Sequence, residues 1–301
     1  MKENDNNQLP LSINTYLKNR YTPETAKSYE REIVNFLGNF PLANKAVYKD
    51  LVNYLGTLRN RYTNGKTICR LLASIKAYYE YLNHTGQRKD NPAKTIRLRD
   101  KQNRDIQLQD LFTTQELESL ITAKKERYNK LEYRNKVLMS LLIYQALPPK
   151  ALESLTLNDI NLQQGTIYIK SQPKTNSREL ALKPVQIMLF HQYIFEIRPK
   201  LLKNKKKEDS RHLLLGSTGN PMKSEDITKH IKRNYGKCFK SRKVNAQTIR
   251  QSVIASLLKA GNDLRIVQSF AGHKYPGSTE KYKQTEIEEL KAGIQKYHPL
   301  Q

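Results

Sequence analysis

The chain has 301 residues, and Lys plus Arg outnumber Asp plus Glu by 53 to 28, for a formal charge of +25. So large an imbalance self-repels and points to a polyanionic partner. No run of about 18 apolar residues occurs, which excludes a membrane-spanning helix, and the polar start MKENDNNQLPLSINTYL lacks the apolar core of a signal peptide. Two distant cysteines, Cys69 and Cys238, exclude a disulfide framework, and no His/Cys/Asp/Glu cluster has metal-ligand spacing. A reducing cytoplasm is therefore expected, and no metal. The basic residues are spread through periodic, foldable segments, which favours a folded protein with basic faces and a nucleic acid over a membrane.

In chain order, apolar residues first recur at helical spacing in four blocks. These are LSINTYLKNR, TPETAKSYEREIVNFLGNF, NKAVYKDLVNYLGTLRNR and TNGKTICRLLASIKAYYEYLNHTG. In the second, Thr22 can cap, Pro23 takes the first helical position, and Tyr29, Ile33 and Phe36 form a stripe. The fourth stops at Gly86, and its AYYEYL reads as core and rim of the helix. Residues 1–93 thus form an all-helical domain. The charged stretch QRKDNPAKTIRLRDKQNRDIQLQDL has almost no apolar periodicity, and 94–111 reads as a basic linker.

A mixed region, 112–301, follows. TTQELESLI is a helix capped by Thr113 or Thr114. YRNKVLMSLLIYQAL is a second, stopped by Pro148 and Pro149. GTIYIKS and RELALKP alternate as strands around the turn QPKTNS. The remaining segments, from PVQIMLFHQYIFEIRPKLL to EIEELKAGIQKY, are helical, and KNKKKEDSR is an exposed loop. The fold class is mainly α with a small β-sheet.

The candidate chemistry lies in NAQTIRQSVIASLLKAGNDLRIVQSFAGHKYPGSTEKYKQ. Arg250 rides an amphipathic helix, His273 follows a helix-ending Gly272, and Tyr282 comes after a Pro276–Gly277 turn. Held on neighbouring helix ends, the three can converge on one phosphate. The arginine is a bidentate clamp, the histidine a hydrogen-bond or proton partner, and the tyrosine an attacking oxygen. Each has a plainer reading alone: a lysine-flanked surface aromatic, a helix C-terminal cation, a snorkelling arginine.

In their order these residues resemble the tyrosine recombinase, or phage integrase, family. Its signature of His-x-x-Arg, Leu-Gly-His and a nucleophilic tyrosine is met by QTIR, FAGH and STEKY. The upstream helices and NPAKTI are similar to its SAM-like core-binding domain and linker. LTLNDINLQQGTIYIK resembles the entry to its catalytic domain, and PKTNSREL its lysine-bearing hairpin. The resemblance implies DNA strand exchange without cofactors, through a 3′-phosphotyrosine on double-stranded DNA. It also implies a tetramer on two sites, with the tail IEELKAGIQKYHPLQ docked on a neighbour; a tail packed on its own domain is the plain alternative. Carried over by position, Tyr282 is the nucleophile, Arg250 the second catalytic arginine, His273 the hydrogen-bonding histidine and Lys174 the general acid.

Two positions depart from the pattern. Gln247 stands where a histidine is usual, a catalytic position at which it can still hydrogen-bond a phosphate oxygen but cannot shuttle a proton, and Pro148 falls on the first catalytic arginine in QALPPKAL, with Ala151 on its supporting acid. Lys150 or Arg178 is a candidate to supply the missing charge. These departures point to a divergent recombinase that integrates or excises a mobile element, in preference to one resolving chromosome dimers. The rival readings are a catalytically impaired DNA-binding accessory protein on the same scaffold and a relaxing topoisomerase.

Overall fold

The computed structural model describes residues 12–99, 111–124, 126–203, 210–239 and 242–282. The chain divides into two units, Met1–Arg104 and Asp105–Gln301. Three sequence-based expectations fall outside the described residues: most of the linker (100–110), the heart of the KNKKKEDSR run (204–209) and the tail after Tyr282.

The first unit is built from α1 (Ile13–Arg20), α2 (Pro23–Asn39), α3 (Tyr48–Arg61) and α4 (Gly65–His84). Pro23 opens α2, where its missing N–H costs nothing; Thr22 precedes it, but its hydroxyl donates to the Thr25 side chain and accepts from no backbone N–H of the helix. The apolar stripes of α2, α3 and α4 meet in one core around Phe36, whose ring takes edge contacts from Tyr54, Tyr78 and Tyr79. Tyr79 is fully buried and donates its hydroxyl to Ala43 O at 2.8 Å, so the AYYEYL tyrosines serve packing. Gly86, at φ +72°, follows the end of α4 in the left-handed conformation that glycine adopts without strain. The first residues of the expected linker are not free. Ile96, with Ala93 just before the linker, enters this core, and Lys76 Nζ donates to the carbonyls of Lys94 and Ile96 at 3.1 and 2.8 Å. Two apolar side chains among charges are too few to show a period, yet they bury like any others.

In the second unit, Phe112 N donates to Ser252 Oγ at 2.9 Å, and Arg242 donates to Leu111 O at 2.6 Å while pairing with Glu116. The cap of α5 (Thr114–Thr122) is Thr113: its hydroxyl accepts from Glu116 N, and the Glu116 carboxylate accepts from Thr113 N. α6 (Asn129–Tyr144) is the central helix, with Val137, Leu138, Met139, Leu141 and Leu142 all fully buried. Beyond it come α7 (Pro149–Ser154) and an antiparallel sheet in the order β1 (Ile160–Asn161), β2 (Thr166–Ile169), β3 (Arg178–Ala181). Its register pairs Ile167 with Leu180 and Ile169 with Arg178. α8 (Pro184–Gln192) passes through a π-helical turn, Tyr193–Ile197, into α9 (Arg198–Leu202). α10 (Ser224–Tyr235), α11 (Ala246–Lys259), α12 (Leu264–Ala271) and the short α13 (Gly277–Glu280) complete the described residues. The fold is mainly α with one small sheet, as the periodicities predict.

Candidate active site

The site is assembled from four chain segments of the second unit. α11 is capped by Asn245, whose side chain accepts from Gln247 N and Thr248 N at 2.9 and 3.0 Å, and this cap sets the phase that turns Arg250 inward. The Arg250 guanidinium donates through Nη1 to Ala146 O and through Nη2 to Ala271 O, the latter at 2.7 Å. It thereby ties the exit of α6 to the end of α12. That exit is sharper than the two prolines predict. α6 stops at Tyr144, and Ala146 turns the chain at φ +49°, an unusual conformation for a residue with a Cβ.

α12 ends at Gly272, φ +69°, in the left-handed helix-ending position. His273 follows directly. Its N–H donates to Gln268 O at 3.0 Å, its carbonyl accepts from Gln268 Nε2 at 3.1 Å, and its Nδ1 shares a 2.9 Å hydrogen bond with the buried Thr279 hydroxyl. Tyr282, one turn on, is 8% exposed and packs with Ile254, Ala255, Val267 and Ala271. Its ring lies nearly parallel to the His273 imidazole, centroids 6.4 Å apart. The tyrosine among lysines is therefore a buried ring beside a histidine.

The β2–β3 hairpin closes the cluster. Gln172 and Thr175 exchange backbone hydrogen bonds around Pro173 and Lys174, leaving Lys174 exposed at the tip. Thr175 forms a backbone bridge with His273, and Asn176 N donates to Gly272 O at 2.9 Å. Arg178, first residue of β3, is 9% exposed. Its Nη1 reaches Asn176 O at a long 3.4 Å, while its Nε and Nη2 are buried with no hydrogen-bond partner among the described residues.

The electrostatics follow from burial and crowded positive charge. Burial, reinforced by the Arg250 charge, pulls Arg178 down to about 10. Burial likewise lowers Arg250. Burial and then the two guanidiniums push His273 down to about 4, so its imidazole is uncharged at neutral pH. Burial raises the Tyr282 phenol, with Arg250 acting in the opposite direction. A phenol, a neutral imidazole and two guanidiniums with no carboxylate paired to either among the described residues make a receptor for an anion.

Arg178, Arg250, His273 and Tyr282 thus come together, with Lys174 on the turn beside them. Gln247 is exposed on the first turn of α11. Lys150 is exposed on α7 and paired with Glu153 at 3.2 Å. Pro148 precedes the first turn of α7, and Ala151 is buried in the core, so neither position presents charge. Thr279 and Gln268, which hold His273, carry no signal of their own in the sequence. Thr279 is one more hydroxyl in a polar turn until the tertiary structure buries it.

Residues 110–289 match the phage integrase family. Among curated proteins, the chain is 24% identical over 305 residues to the tyrosine recombinase XerC of Alcanivorax borkumensis, covering 99% of this chain and 96% of that one. It is 26% identical over 281 residues to the tyrosine recombinase XerD of Oceanobacillus iheyensis, covering 91% and 92%. Among solved structures, the Tn1549 transposon integrase in complex with transposon right end DNA shares the fold at a TM-score of 0.67 and 18% identity, covering 95% of this chain and 99% of that one. A lambda integrase dimer bound to a core site shares it at 0.65 and 13%, covering 89% and 92%. With the match to the family running over more than half of its length, the chain belongs to the phage integrase family of tyrosine recombinases.

Proposed function

We propose that this protein is a site-specific DNA recombinase that cleaves and rejoins duplex DNA through a 3′-phosphotyrosine at Tyr282. The observation that carries the reading is the placement of Tyr282 beside an uncharged His273 and within the field of Arg250. The Tyr282 oxygen attacks a backbone phosphorus, its proton passing to His273, the neighbouring neutral base. The bond from phosphorus to the 5′ oxygen breaks, and that oxygen takes a proton from the Lys174 ammonium. A 5′-hydroxyl then reverses the reaction on the same or a partner strand, so the bond energy stays in the covalent link and no cofactor is consumed. Arg250 stabilises the charge that builds on the phosphoryl oxygens. The excess of Lys and Arg supplies phosphate contacts, so binding should weaken steeply with salt.

The test is a duplex selected from a random-sequence pool by tight binding to the full chain, then nicked at successive positions so that cleavage releases a short fragment and traps the enzyme. A covalent adduct that vanishes in Tyr282→Phe supports the reading; tight binding with no adduct at any nick favours the accessory protein. Integration or excision of a mobile element is the finer reading, motivated by the departures at Pro148 and Gln247. Joining of two plasmids that each carry the selected site would support it; relaxation without joining would favour a topoisomerase.

A further inference from the structure

A phosphate presented to Tyr282 needs more than one cation against it, because charge builds on two non-bridging oxygens as the tyrosine attacks. The position where the family places its first arginine holds Pro148. Arg250 has both terminal nitrogens engaged on the carbonyls of Ala146 and Ala271. Arg178 is the opposite case. It is nearly buried, lies in the field of another guanidinium, and keeps Nε and Nη2 without a partner. A buried cation with empty donors is costly, and among the described residues no group compensates it. An anion would satisfy it. Nε and Nη2 form the side-on edge of the guanidinium fork, the edge that meets two phosphate oxygens at once.

Two features hold that fork at the site. Gly272 offers bare backbone to it: a Cβ there would sit 2.2 Å from Arg178 Nη1. The hydrogen bond from Asn176 N to Gly272 O docks the start of β3 on the end of α12, one residue before His273. We propose that Arg178 clamps the scissile phosphate in place of the absent first arginine, so that the sheet delivers the charge that α7 lacks. The proposal rests on the recombinase reading above. In the step, the Nε–Nη2 edge of Arg178, buried in the free protein, turns outward to hold the non-bridging oxygens while the bond from Tyr282 to phosphorus forms and the bond to the 5′ oxygen breaks; it neither gives nor takes a proton.

The experiment uses the full chain and the selected, nicked duplex, with either an ordinary phosphodiester or an uncharged methylphosphonate at the scissile position. Arg178→Ala is expected to bind the duplex like the parent but to form the covalent adduct more slowly by roughly 10²–10³-fold. Arg178→Lys should recover part of the rate, since it restores a point charge and not a fork. On the methylphosphonate, which has less charge to neutralise, the deficit of Arg178→Ala relative to the parent should shrink to about tenfold or less. Lys150→Ala should match the parent throughout. An Arg178→Ala variant that cleaves at the parent rate overturns the proposal. So does a deficit equally large on both substrates, which would mark a purely structural role, or a loss confined to Lys150→Ala. If the parent forms no Tyr282-dependent adduct, the recombinase reading fails and takes this proposal with it; an adduct formed equally by parent and Arg178→Ala defeats this proposal alone.

Discussion

The Arg178 guanidinium rests on the backbone of Gly272, so closely that a methyl group on that glycine would fall 2.2 Å from Nη1. The same glycine takes φ +69° to end α12. One residue therefore both turns the chain toward His273 and leaves the room in which a buried arginine lies.

Gly272→Ala should act twice. The left-handed conformation costs an alanine about 1 kcal/mol, which urea unfolding would register. The new methyl must also displace the guanidinium, so adduct formation should fall well beyond what lost stability explains. In an Arg178→Ala background the additional loss of activity should largely disappear. Equal losses in both backgrounds would show that the close approach has no functional weight.

Replacing Arg178 should stabilise the free protein. Arg178→Met removes a buried, unpaired charge next to Arg250 and keeps most of the side-chain volume, so unfolding free energy should rise by on the order of 1 kcal/mol or more. A thermal or urea midpoint that falls would mean the guanidinium has a compensating partner. The combination of higher stability and lower activity is what a strained functional cation produces.

Acid should destabilise the protein across a defined window. His273 and the buried His230 both lie near 4 when folded, against 6.5 for an ordinary histidine. For His230 burial comes first, followed by Arg134, Lys124 and Arg233, and Asn234 Nδ2 contacts its ring nitrogen at 2.8 Å. A depressed histidine pKa means that the unfolded chain binds more protons between those two values. Stability is fully present above about pH 6.5 and declines as the pH falls toward 4. Histidine NMR titration of the free protein should find both rings uncharged at pH 6, and the His273 titration should move upward in Arg178→Ala. A His273 ring that titrates normally in the parent would contradict the crowded positive site.

Ala146 offers a backbone test. Relief of its positive φ in Ala146→Gly is worth about 1 kcal/mol, and loss of one buried methyl costs about 0.8, so the variant should be near neutral in stability. Ala146→Val should be strongly destabilising, because a β-branched residue tolerates neither that φ nor the closed packing at this fully buried position. Since Arg250 donates to the Ala146 carbonyl across 104 residues of sequence, the valine variant should also lose adduct formation. A well-folded, fully active valine variant would remove Ala146 from the account.

Much of this was legible in the residues. The helices of the first unit follow from apolar stripes and from Pro23 and Gly86, because a helix needs one buried face and a defined start and stop. The sheet follows from alternation in GTIYIKS and RELALKP. Other points were not legible. Thr113 and Thr114 offer the same cap chemistry, and only the reach of the Glu116 carboxylate selects the first. The end of α6 is earlier than its prolines suggest, because Ala146 turns the chain before they are reached. Ile96 looked like linker because an isolated apolar residue cannot display a period.

The sequence by itself determined the mainly helical class with its small sheet, the strong positive charge, and the order in which arginine, histidine and tyrosine recur, since these depend on local periodicity and on residue identity. Only the tertiary structure decided how the two candidate cations are placed. Lys150 and Arg178 are equally charged on paper. Packing left one in solvent against Glu153 and buried the other over Gly272, with Nε and Nη2 unpaired among the described residues. That difference is a matter of desolvation and of contacts between residues far apart in the chain, which no local pattern encodes.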